Sequence, residues 1–160
     1  MINNAGHVNK EIQNKFPCFI CIPNITRQRA SYSDIINKNT DYDLNKLKVE
    51  DLKSVDEFHI GGRKGSEFVA DALEIDPGQL VRDIGSGIGG PARYIANTLG
   101  VKVEGIDLTP EFVEAASEIT EMVGITSQIS FQFSSATSIP FDDDTFDAAT
   151  MIHVLSLIHI

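Results

Sequence analysis

The chain has 160 residues, of which 42% are hydrophobic and 22% charged, with a formal net charge of −10. That length and composition suit one domain with a real core. The acidic balance repels a phosphate backbone, no apolar run approaches the roughly 18–20 residues of a membrane span, and no basic start leads into an apolar leader. The expectations are therefore no nucleic-acid partner, no membrane span, no signal peptide and a cytoplasmic location.

Residues 1–45 are rich in Asn, Lys, Ile and Asp and show no sustained period, so a loose N-terminal segment is expected there. Phe16–Pro23 is a short apolar island within it. Cys18 and Cys21 stand in C-x-x-C spacing, but no second cysteine pair and no strand–helix setting accompany them. Incidental thiols are the expected reading. From Leu44 to Val55 the apolar residues follow a helical period imperfectly. Gly61-Gly62 reads as a helix breaker. Phe68, Val69, Ala72 and Leu73 then recur at helical spacing, and Asp76-Pro77-Gly78 is a turn.

After Gln79 the pattern alternates. Leu80–Ile84 reads as a strand. Gly90 and Pro91 open a helix that Gly100 stops. Val101–Ile106 reads as a second strand, ended by Asp107. Thr109 and Pro110 open the next helix, closed by Gly124. Ile129–Phe133 is a third strand. Phe146–Val154 reads as a fourth, nearly continuous in apolar residues as expected for a strand covered on both faces. Strand–helix–strand units with short links predict a parallel, doubly wound sheet of about four strands, preceded by a helical segment.

The stretch Val81–Ala96 carries the chemistry. Asp83, Gly85, Gly87 and Gly90 are spaced D-x-G-x-G-x-x-G. Glycines let such a turn approach a ligand, and the helix behind it aims free N–H groups at it. Ligands bind beyond the carboxyl ends of the strands in sheets of this kind. Those ends present Gly85–Gly90, Asp107-Leu108, Ser134–Ala136 and His153. A carboxylate at Asp107 suits the hydroxyls of an adenosine ribose. Asp83, buried inside the strand, is unfavourable beside a pyrophosphate and tolerable beside a cation.

With these residues in view, the chain resembles the class I S-adenosylmethionine-dependent methyltransferases. It is most similar to the subgroup of sarcosine/dimethylglycine N-methyltransferases and tocopherol-type methyltransferases. VRDIGSGIGGPARYIA, VEGIDLTPEFVEAA, SSATSIPFDDDTFDAATMIHV and VDEFHIGGRKGSEFVADAL carry the resemblance. It implies a Rossmann-like fold over residues 46–154 and S-adenosyl-L-methionine as cofactor. It also implies transfer of a methyl group to a small-molecule acceptor, such as an amine of the glycine-derivative kind. Gly85, Ser86 and Gly87 would accommodate the methionine part, with Asp83 near its ammonium. Asp107 would hold the ribose, with Leu108 packing on the adenine and Ser135 and Ala136 at the adenine edge. His153 would face cofactor or acceptor. His59 and Gly61 lie in the segment that covers the cofactor in similar enzymes. His153 and His59 are the only histidine candidates for a general base, and neither is assigned that role. No metal site is expected. An NAD(P)-binding oxidoreductase and a non-catalytic methyltransferase-like binding protein are the alternatives.

Four features depart from that pattern or stand beside it. Arg82 replaces the usual Leu and points away from Val81 and Asp83, into a face expected to be covered by helices. Arg93 could grip a carboxylate or pair with a neighbour, and Asp142–Asp144 reads as a solvated turn. Similar enzymes continue well past the fourth strand. One codon choice for residues 155–160 reproduces the end of a transposon-based sequencing adapter. A C-terminally truncated fragment of weak turnover, ending in an adapter scar, is therefore the expectation.

Overall fold

The computed structural model describes residues 46–54, 56–57 and 59–154. The Cys18–Cys21 pair, the apolar island at 16–23, the loose segment over 1–45 and the suspected scar at 155–160 lie outside them. Among the described residues a short 3₁₀ turn, Val49–Leu52, comes first, followed by α1 (Gly62–Ala72) and β1 (Leu80–Ile84). Then follow α2 (Gly90–Leu99), β2 (Lys102–Asp107), α3 (Pro110–Met122), β3 (Ile129–Phe133) and β4 (Ala148–Thr150). The strands form one parallel sheet in the order β3-β2-β1-β4. The chain steps outward from β1 to β3 and then crosses back to the far side of β1. The strand order thus reverses between β1 and β4, where open sheets of this kind keep their ligand crevice.

Val81, Val103 and Ile129 pack against Ala92, Ile95 and Ala96 of α2 and Ala70 of α1 in one core cluster. Leu47, Leu52 and Ile88 meet Ala115 and Ile119 of α3 in a second. Each fully buried Ile or Leu of these clusters contributes about 1.5–3 kcal/mol. The segment before α1 is therefore anchored as part of the domain.

Three sequence expectations change. The imperfect helical period around Leu47–Leu52 folds as a 3₁₀ turn, with the Lys48 amide donating to Asp51 Oδ2 at 3.0 Å. The Gly61-Gly62 pair starts a helix rather than breaking one: Gly61, at φ 102°, is the N-cap of α1. The fourth strand covers only Ala148–Thr150 of the expected Phe146–Val154. Asp147 is spent at the strand's start, its Oδ2 accepting the Leu80 amide at 2.8 Å and its Oδ1 accepting Gln79 Nε2 at 3.1 Å. At the other end His153 takes φ 61°, which no strand residue adopts.

Arg82 is buried as expected, at 2% exposure. Its cover among the described residues is aromatic, not helical. The guanidinium carbon lies 3.8 Å from the centroid of Phe141 and 4.0 Å from that of Phe146. The two rings meet edge to face at 5.2 Å. Burial lowers the Arg82 pKa, and none of its three guanidinium nitrogens has a hydrogen-bond partner among the described residues. The rings thus stand where a carboxylate would otherwise be expected.

Candidate functional site

The turn after β1 is built by the neighbouring strand. The Ile106 carbonyl accepts the amides of both Gly85 and Ser86, at 2.8 and 2.9 Å. Asp107, the next residue of β2, holds the turn's far limb: its Oδ2 accepts the Gly87 amide and its Oδ1 the Thr109 amide, each at 2.9 Å. Each oxygen still has a lone pair for another donor. Gly87 sits at φ 54°, and a Cβ built on it would meet nothing within 4 Å among the described residues. The turn therefore faces open space at Gly87. Gly90 is the opposite case, since a Cβ there would collide with the Asp56 carbonyl oxygen. One glycine leaves room for a ligand and the other for the chain itself.

Asp83 closes the floor of this turn at 2% exposure. Its partner follows from register. Asp83 pairs with Thr150 across β1 and β4, and the Thr150 hydroxyl donates to Asp83 Oδ1 at 2.8 Å. The second oxygen, Oδ2, is buried with no partner among the described residues. Burial pushes the carboxyl up to about 6, against the Thr150 hydrogen bond, with Asp107 raising it further and His59 lowering it. An unsatisfied buried carboxylate oxygen is costly; Asp56 Oδ1 and Glu57 Oε1 are also without a hydrogen-bond partner, but their residues face Arg93 and Arg63, whereas Asp83 makes no ion pair among the described residues. The Ser86 hydroxyl is likewise buried and unpartnered among the described residues.

Leu108 stands beside the turn at 66% exposure, a large apolar side chain left to solvent. Ser135 and Ala136 follow β3. There Ser135 bridges to Ser138 and its hydroxyl lies 2.9 Å from that of Thr137. The Ser134 amide donates to the Asp107 carbonyl at 3.0 Å, which joins this segment to the end of β2. Gly85–Gly87, Asp107 and Ser134 are therefore tied to one another by hydrogen bonds. Val154 closes the other side, its side chain filling the space that a Cβ on Gly85 would need.

The two histidines meet here. Their ring centroids are 6.1 Å apart in an edge-to-face arrangement. His59 Nε2 lies 2.9 Å from Glu57 Oε2 and 3.1 Å from the Ser66 hydroxyl, which itself donates to Glu57 Oε2 at 2.7 Å. Arg63 Nε approaches Glu57 Oε1 at 3.1 Å without aiming its N–H at it, and the guanidinium lies over the Tyr94 ring at 4.4 Å. The Glu57 hydrogen bond holds the His59 pKa above its ordinary value. Glu57 falls below the carboxylate range: burial pulls it up, but the hydrogen bonds from His59 and Ser66 and the Arg63 charge outweigh it.

Sequence reasoning missed Asp56. Arg93 is fully buried and its Nη2 donates to Asp56 Oδ2 at 3.2 Å and to the Ile88 carbonyl at 2.7 Å. Its Nη1 reaches Thr120 Oγ1 at 3.2 Å and the Ala116 carbonyl at 3.3 Å. The partner that spacing left open is thus a carboxylate 37 residues away, not a neighbour. Thr150 and Glu57 were missed as well. Only the strand register could have flagged Thr150. Glu57 stands two residues before His59, a spacing that singles out nothing. The Asp142–Asp144 run is exposed, as expected of a solvated turn. Among the described residues no group of three or more His, Cys, Asp or Glu is placed to hold a metal, and no helix is long and apolar enough to cross a membrane.

Comparison with known proteins bears on this geometry. Residues 81–160 match the family model of the methyltransferase domain. The chain is 31% identical over 140 residues to cycloartenol-C-24-methyltransferase of Arabidopsis thaliana, spanning 81% of this chain and 41% of that protein. It is 34% identical over 98 residues to phosphoethanolamine N-methyltransferase 3 of the same plant, spanning 59% of this chain and 20% of that one. Among solved structures it resembles a SAM-dependent methyltransferase from Thiobacillus denitrificans in complex with S-adenosyl-L-homocysteine. The TM-score is 0.57 at 26% identity, over 68% of this chain and 44% of the other. The chain thus spans less than half the length of each of these relatives.

Proposed function

The chain belongs to the methyltransferase-domain family, and on that premise we propose that it binds S-adenosyl-L-methionine and serves methyl transfer to a small-molecule amine. The observation that carries the reading is the unpartnered, buried Oδ2 of Asp83 beneath an open glycine turn. A group bearing an ammonium fits that oxygen, and a pyrophosphate does not. The two acceptor capacities left on Asp107 fit a ribose diol. The exposed Leu108 fits an adenine face, and Ser135 and Ala136, joined to β2 through Ser134, fit its edge.

When bound, the cofactor supplies a methyl group already activated on a sulfonium. The chain's own part is to bind and orient. Asp83 takes the ammonium, Asp107 fixes the ribose, and the Gly85–Gly87 backbone sets the depth at which the ligand lies. Such fixing of two reactants converts a bimolecular displacement into an effectively unimolecular one, worth up to about 7–11 kcal/mol. An amine acceptor is the reading favoured by the likeness to an N-methyltransferase. The names of the relatives include a C-methyltransferase, so the acceptor atom is the part to test.

Calorimetric titration with S-adenosylhomocysteine and with NAD separates the readings: binding of the first and not the second is expected. Asp107→Ala should weaken S-adenosylhomocysteine about 10- to 100-fold, the worth of hydrogen bonds to a charged group at about 1.5–3 kcal/mol. NAD binding with no S-adenosylhomocysteine binding would overturn the proposal.

A further inference from the structure

The histidine pair fixes its own protonation through Ile60. A backbone N–H can only donate and a carbonyl can only accept. The Ile60 amide donates to His153 Nδ1 at 3.1 Å, so that nitrogen carries a lone pair. In the neutral ring the proton then sits on Nε2. The Ile60 carbonyl lies 3.3 Å from His59 Nδ1, and the other nitrogen of His59 faces the Glu57 carboxylate at 2.9 Å. The Ser66 hydroxyl spends its own proton on Glu57, so it too can only accept from His59. Both nitrogens of His59 therefore face acceptors.

We infer that His59 is a fixed imidazolium and that His153 is a neutral ring presenting an Nε2–H donor, so that neither histidine can serve as the general base. His153 positions the acceptor, and the Ile60 amide positions His153. The lone pair of His153 Nδ1 is occupied by the Ile60 amide, and the two ring centroids lie 6.1 Å apart. The carboxylates around His59 support its charge, Glu57 on its own segment and Asp83 of β1, while the Arg63 cation of α1 stands on the far oxygen of Glu57. His153 sits at φ 61°, in the left-handed region that strand residues do not use. His153 remains exposed, and among the described residues only its Nδ1 is engaged.

The consequence for chemistry rests on the methyltransferase reading. With no histidine base, the acceptor must bring its own lone pair, as a neutral amine does, and must carry an atom able to accept from Nε2–H. Only the neutral amine carries the attacking lone pair, so the rate should rise with pH through the acceptor's own pKa and show no histidine limb; the ammonium formed by the transfer then loses its proton to solvent.

Long-range ¹⁵N–¹H spectroscopy of the imidazole rings in the full chain tests the assignment without cofactor or turnover. Signals are assigned by single replacement of His59 and His153 with Gln. At pH 7 the expected pattern is His153 protonated on Nε2 only and His59 protonated on both nitrogens. In Glu57→Gln the His59 ring should become neutral near pH 7 while His153 keeps its tautomer. A proton on Nδ1 of His153, or a neutral His59 in the unsubstituted chain, would overturn the inference. Failure to bind S-adenosylhomocysteine would remove the methyltransferase reading and leave the ring assignments standing.

Discussion

Asp56 and Asp83 are both 2% exposed, and burial pushes both carboxyls up to about 6. Their surroundings are opposite. Asp56 lies against the Arg93 guanidinium, whose charge pulls against its burial, and Arg93 makes four hydrogen bonds in all. Asp83 makes no ion pair among the described residues and one hydrogen bond, from Thr150. One site holds its cation within the protein, although Asp56 Oδ1 and Arg93 Nε have no hydrogen-bond partner among the described residues, and its carboxylate fastens the segment before α1 to the buried face of α2. The other lacks a cation, and it lies at the point where the strand order reverses. Equal burial thus leaves one carboxylate paired with a cation and the other without one among the described residues.

Breaking the ion-paired site should have the largest effect. Arg93→Met leaves Asp56 buried without its cation and should cost about 3–5 kcal/mol in urea unfolding. Adding Asp56→Leu to it should recover much of that loss, because a buried pair replaced by apolar groups is often neutral. A single variant within about 1 kcal/mol of the parent, by the same measurement, would mean that the pair is not what fastens the segment.

The other site should respond in the reverse sense. Keeping Asp83 ionised at pH 7 costs about 3 kcal/mol, taking about 1.4 kcal/mol per pH unit between 3.8 and about 6. Asp83→Asn should therefore raise stability at pH 7, by about 1–3 kcal/mol, while weakening S-adenosylhomocysteine at least tenfold. A variant that is both less stable and equally able to bind would place Asp83 among the structural carboxylates.

The pH dependence sharpens the contrast. A carboxyl raised on folding binds its proton more tightly in the native state, so its contribution to stability falls as pH rises from 3.8 to about 6. Both aspartates share that window, and Asp83→Asn should flatten only its own part. His59, raised by Glu57, contributes stability below the unfolded value of 6.5 that is lost as pH rises through its folded pKa. Ligand binding should show the opposite slope to the aspartates: an ammonium prefers the ionised Asp83, so S-adenosylhomocysteine affinity should drop as pH falls below about 6. Calorimetry at several pH values reads this directly, and an affinity unchanged between about pH 5 and 7 would count against the pairing.

The smallest effect is expected at Arg82. Removing its charge as Arg82→Met forfeits two cation–π contacts, about 0.5–2 kcal/mol each, and relieves three buried nitrogens of their missing partners. The net change in chemical denaturation should stay within about 1 kcal/mol. A loss comparable to that of Arg93→Met would show that the aromatic cover depends on its cation as strongly as Asp56 does.

Local pattern carried much of this molecule. Alternating strand and helix periods, with Gly and Pro at their ends, gave the parallel sheet, because each signal depends only on residues within one or two turns. That the glycine turn, Asp83 and Asp107 lie together at the carboxyl ends of β1 and β2 was legible for the same reason, because strand and turn signals are local. What sequence could not reach were the contacts that chain folding closes across long separations. Asp56 finds Arg93 from 37 residues away, Thr150 finds Asp83 from 67, and Ile60 finds His153 from 93. The sequence supplies a carboxylate at 83 and a histidine at 153. Only the tertiary structure decides that the carboxylate keeps one oxygen free and that the histidine keeps its proton on Nε2, because burial and hydrogen-bond direction are properties of neighbours in space.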